Sequence, residues 1–158
     1  MTRTVSSADR VSAYARAVVR GRIVAGPHVR AACARHLQDL QDGKSRGLVF
    51  DRKAAERALD FFPALLRLNG GGWEGKPYHL LLWQSFIVGS LFGWKGPDGH
   101  RRFRVAYIET GKGSGKSPLA AGIGLYGLMA DGCPRAEVYA AATKHDQAMV
   151  LFRDAVAM

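Results

Sequence analysis

Apolar residues recur at helical spacing through the first hundred positions of the chain. Tyr14, Val18 and Val19 fall on one face, and Val29, Ala32, Cys33, His36, Leu37 and Leu40 on another, which predicts two helices within residues 8–41. Gly26-Pro27 separates them. After a small hinge at Gly43–Gly47, Asp51 is placed to cap a helix carrying Ala54, Ala58, Leu59 and Phe62. Pro63 is expected to kink or restart that helix, with Leu65, Leu66 and Leu68 continuing its apolar face until Asn69–Gly72 ends it. Leu80–Phe92 reads as a further buried helix, and Gly93–Gly99 as a loop.

Near residue 100 the period changes. Phe103–Ile108 and Val138–Ala142 are short, nearly unbroken apolar runs of the kind that form strands buried on both faces. Helical patterns follow each of them, at Pro118–Ala130 and at Lys144–Met158, where Ala148, Leu151, Phe152 and Ala155 share a side. Strand, helix, strand, helix predicts an α/β fold with a parallel βαβα sheet and a right-handed crossover. The organisation expected is a basic helical N-terminal region at 1–47, a helical segment at 48–100 and the start of the α/β domain at 101–158.

Composition narrows the class. The 158 residues are 47% hydrophobic and 23% charged, an ordinary globular balance that argues against wholesale disorder. Two cysteines, Cys33 and Cys133, rule out a disulfide framework and make a reducing cytoplasm the default. Leu80–Trp94, the longest apolar tract, is too short and too polar to span a bilayer. Met1–Arg10 has no apolar core behind its charges, so no secretory signal is expected. The net charge of +10 is uneven: residues 1–50 hold nine basic and three acidic side chains, residues 111–158 five and four. A basic excess at the N-terminal end suits an anionic partner such as DNA, and equally a solvated surface.

The strongest chemical signal lies between the first apolar run and its helix: Thr110-Gly111-Lys112-Gly113-Ser114-Gly115-Lys116-Ser117. This is a Walker A loop in its strand-to-helix setting. Glycines at 113 and 115 let backbone N–H groups turn inward around phosphate oxygens, and the helix N-terminus adds its positive end. Lys116 has the reach for β- and γ-phosphates, and the Ser117 hydroxyl is the type of group that ligates Mg²⁺. Thr110 stands where the strict pattern has glycine. Pro118 removes one amide and biases Ser117 away from helical dihedrals. The expected fold is therefore an incomplete P-loop NTPase sheet preceded by helices, with ATP and Mg²⁺ as cofactors.

With its surroundings this loop resembles a known family. Leu82-Trp83-Gln84-Ser85-Phe86-Ile87-Val88 and Leu91-Phe92-Gly93 stand upstream. Tyr139-Ala140-Ala141-Ala142-Thr143, Gln147-Ala148 and Leu151-Phe152 stand downstream. In this order they look like the N-terminal ATPase part of a tailed-phage terminase large subunit, the motor that packages DNA into procapsids. The resemblance implies that Gln84, in a Trp-Gln pair, reads adenine, as a side-chain amide can through N6 and N7. Trp83 suits a core position better than a stacking one. Lys112 matches a basic residue near the γ-phosphate, as lysine where arginine is common. Gly111, Gly113, Ser114, Gly115, Lys116 and Ser117 match the phosphate loop. Thr143 ends the second apolar run, as a ligand contact or as a helix cap. Double-stranded DNA, a terminase small subunit, a portal protein, a ring oligomer and the cytoplasm of a bacterial host also follow from the resemblance, with no membrane.

After Ser117 the acids are Asp131, Glu137, Asp146 and Asp154, and none ends an apolar run. Such motors need acids there to orient Mg²⁺ and water. The family's acidic nuclease part has no counterpart either. The chain is thus expected to be the front of a longer protein or the product of a truncated gene, binding nucleotide weakly and hydrolysing it poorly by itself. Two other readings stay open: another P-loop enzyme such as a small-molecule kinase, and a degenerate loop on a module that binds DNA or a partner. His28, Cys33 and His36 lack a fourth ligand for zinc. Arg101, Arg102 and Arg104 suit DNA or phosphate no better than a solvated strand edge.

Overall fold

A computed structural model describes residues 9–158, the side chain of Asp9 excepted. The first eight residues, among them Ala8 of the expected helical stretch 8–41, lie outside the described part. The chain divides into two compact units. One holds residues up to Leu59 together with Leu80–Ala106; the other holds Asp60–His79 and Tyr107–Met158.

The first unit is helical. α1 (Asp9–Val19) packs on α2 (Pro27–Asp42) and on α4 (Leu82–Gly93). Pro27 opens α2, where a missing N–H costs no helical bond. The buried stripe on α1 is Val11, Tyr14, Ala15 and Val18, while Val19, expected inside, is 45% exposed. A side chain at Gly89 of α4 would meet Val11 Cγ2 at 2.3 Å, so glycine sets the α1–α4 approach. Asp51 caps the start of α3 (Arg52–Leu65), its Oδ1 accepting the Ala54 N–H at 3.0 Å. β1 (Val49–Phe50) and β2 (Trp94–Lys95) form a two-residue antiparallel ladder with Phe50 opposite Trp94.

The second unit takes in the end of α3, α5 (Lys116–Met129) and α6 (His145–Ala157). Phe61, Phe62, Leu66, Tyr78, Leu119, Ala121 and Tyr126 are its buried apolar residues. Phe61 meets the edge of Tyr126, and Phe62 that of Tyr78, with ring centroids 5.2 and 5.4 Å apart. Gly122 of α5 faces Phe62 so closely that a Cβ would lie 2.4 Å from Cε1. Pro63 does not restart α3. It sits two residues before the end at Leu65, where the helix is already terminating. Leu66 and Leu68 then exchange backbone hydrogen bonds with Tyr78, Gly75 and Lys76.

The expected α/β fold is met only in part among the described residues. The helices of the βαβα pattern form, but the parallel sheet does not. Neither 103–108 nor 138–142 joins a ladder, and the only sheet is the antiparallel pair above. Val105 and Tyr107 are each 87% exposed, and Tyr139 is 84% exposed. The physical reason is that an apolar run is one half of a strand. A parallel strand also needs neighbours to take its N–H and C=O groups, and no described segment supplies them. The result is a mixed, mainly helical fold with a small two-stranded sheet.

Candidate functional site

The glycine-rich loop adopts the conformation its composition suggested. Gly113 and Gly115 both have φ of +79°, the left-handed region in which a side chain is strained. Gly115 is the N-cap of α5, and its carbonyl accepts the first helical bond, from Leu119 N–H at 3.2 Å. Pro118 therefore falls at the third helical position, where an amide has no intrahelical partner. The helix forms through Ser117 despite the following proline. Thr110 has a role the motif does not give it: its hydroxyl pairs with that of Ser114, and Ser114 Oγ donates to the Gly111 carbonyl at 2.8 Å. These two contacts close the loop from inside, where the strict pattern would have glycine at 110.

Lys112 and Lys116 are exposed, and neither makes a hydrogen bond or ion pair among the described residues. Lys116 and Ser117 line a cleft of about 580 Å³ whose other walls come from Ile108, Tyr139–Ala141 and α6 residues Gln147, Ala148 and Leu151. An ammonium and a hydroxyl form a donor set suited to an anion. Sequence reasoning did not place Gln147 in this site. Its signs were its place in the Gln147-Ala148 pair of the family resemblance and its position four residues after Thr143. Thr143 itself is not a backbone cap: its hydroxyl donates to Gln147 Oε1 at 3.2 Å.

Gln84 belongs to the first unit and is buried. Its Oε1 accepts the Leu81 N–H at 2.9 Å, tying down the start of α4. The basic residues beside the first apolar run also have protein partners. Arg102 pairs with the buried carboxylate of Asp39 and lies over Trp94, while Arg104 pairs with Asp98 at 2.8 Å. Arg46 takes the other Asp39 oxygen at 2.6 Å. Burial pushes the Asp39 carboxyl up, but hydrogen bonds and charge from Arg102 and Arg46 outweigh it and hold it below its ordinary value.

His36 is a core residue. Trp94 Nε1–H donates to its Nδ1 at 3.0 Å, so in the neutral ring Nε2 carries the proton and donates to Ser12 Oγ at 3.1 Å. Burial lowers its pKa to about 4, against a weaker upward pull from Asp39. Cys33 is buried, and desolvation raises its thiol to about 11, which disfavours the thiolate a metal would need.

Residues 82–158 match the family model of the terminase large subunit, ATPase domain. This stretch, just under half the chain, is similar to the ATPase domain of terminase large subunits, which supports a likeness to their N-terminal ATPase portion. The matched stretch contains the whole glycine-rich loop, the cleft-lining residues and Gln84. No curated protein and no solved structure matches the chain. No helix among the described residues is long and apolar enough to cross a membrane.

Proposed function

We propose that this chain binds Mg-ATP through the loop at 110–117 and is the nucleotide-binding part of a motor that packages viral double-stranded DNA. The observation that carries this reading is the left-handed pair Gly113 and Gly115 leading into a helix that begins at Lys116, within the family-matched stretch. The donor set fits the ligand. Backbone amides of 111–115 and the Lys116 ammonium would hold the phosphates, Ser117 Oγ would ligate Mg²⁺, and Lys112 would stand near the terminal phosphate. When bound, Mg-ATP supplies the phosphoryl-transfer chemistry. The part of this chain is to bind and orient the phosphates. By the family resemblance, Gln84 is the residue proposed to read adenine. Double-stranded DNA, a small subunit and a portal are the partners, a ring is the assembly, and the host cytoplasm is the setting.

The test is a thermal shift. Mg-ATP raises the melting temperature of the folded chain, as preferential binding to the folded state requires. Lys116→Ala removes the shift. An equal shift in that variant overturns the role of Lys116. Salt-sensitive DNA binding with no effect of nucleotide would favour a binding module instead.

A further inference from the structure

The cleft beside the loop has a second polar wall. Gln147 in the first turn of α6 lines it together with Lys116 and Ser117. The Thr143 hydroxyl donates to Gln147 Oε1, which occupies the acceptor end of the amide. The Nε2 end keeps two N–H donors that meet no acceptor among the described residues. Apart from Lys116, Ser117 and Tyr139, the residues that line the cleft with it are apolar, among them Ala120, Ala140, Ala141 and Ala148. An amide with its oxygen tied back and its donors open, on a cleft already lined by an ammonium and a hydroxyl, complements an anion.

We propose that Gln147 is a phosphate-binding residue: its amide N–H groups donate to the terminal phosphoryl group of a nucleotide held at Lys116. Thr143 is a positioning residue that fixes which end of the amide is offered. This rests on the nucleotide-binding reading above and extends it to α6.

The experiment titrates the chain with fluorescent ATP and ADP analogues in the presence of Mg²⁺. Gln147→Ala weakens ATP binding about tenfold, the size expected for a hydrogen bond to a charged group, and ADP binding less than about twofold. Gln147→Glu, which sets a carboxylate against the phosphate, costs ATP more than alanine does. Thr143→Val costs about threefold and Thr143→Ser restores parent affinity, since only the hydroxyl is needed. Gln147 is exposed, so its variants melt with the parent when no nucleotide is present. Lys116→Ala separates the possible failures. If Lys116→Ala loses binding while Gln147→Ala keeps the parent ratio of ATP to ADP affinity, the role of Gln147 is wrong and the nucleotide site stands. If Lys116→Ala binds like the parent, or the parent binds neither nucleotide, the nucleotide reading falls and this proposal with it.

Discussion

Two sets of polar residues, one in each unit, are placed in opposite ways. In the first, Ser12, His36, Asp39 and Trp94 are buried, and each has its partner inside the protein. In the second, Lys112, Lys116 and the Gln147 amide are exposed, with no partner for their donors among the described residues. A buried donor or acceptor left unpaired costs about 1–3 kcal/mol, so the first arrangement stabilises the fold. An exposed donor costs little to leave open, so the second arrangement is free to bind. The difference separates residues that hold the structure from residues proposed to meet a ligand, although both sets are polar in sequence.

That contrast can be broken most forcefully at Asp39. Asp39→Ala leaves Arg102, whose side chain is only 19% exposed, without its counter-charge, and the chain should lose about 3 kcal/mol in urea unfolding followed by far-UV circular dichroism. A loss below about 1 kcal/mol would mean that the buried pair is a bystander. His36 gives the next effect, read against pH. Folding lowers its pKa from 6.5 to about 4, so the unfolded chain takes up the proton first. Stability is full above pH 6.5 and falls as pH drops through 4, on the order of 2–3 kcal/mol in all. His36→Gln, which can still accept from Trp94 and donate to Ser12, should flatten that window.

Gly122→Val tests the packing of the second unit. Its side chain would drive into Phe62, at an expected cost of about 2 kcal/mol. Gln84→Ala should cost about 1 kcal/mol through the start of α4. The same variant sharpens the functional reading: loss of ATP-over-GTP preference would support adenine recognition, and a change in stability alone would leave Gln84 a helix-start residue. The smallest effect belongs to Arg104→Ala. Its pair with Asp98 is exposed on both sides, and unfolding should move by less than about 0.5 kcal/mol.

Local chemistry was legible in the sequence. Helices 1 to 6 lie close to where the apolar spacing puts them, and Asp51 caps α3, because periodicity and capping depend on neighbours within a few residues. The turn at Gly113 and Gly115 was legible for the same reason, since only glycine occupies that backbone region without strain. What depends on distant partners was not. Arg102 reads as a surface cation until Asp39, 63 positions away, is brought against it. His36 reads as a metal-ligand candidate until Trp94 and Ser12 take its two nitrogens. The runs at 103–108 and 138–142 have the composition of buried strands, yet a strand exists only in a ladder, and composition cannot supply the neighbour. By itself the sequence determined the helices, the phosphate-type loop and the family resemblance. Only tertiary structure decided which polar residues are buried with partners and which stay open, because burial and pairing depend on segments far apart in the chain.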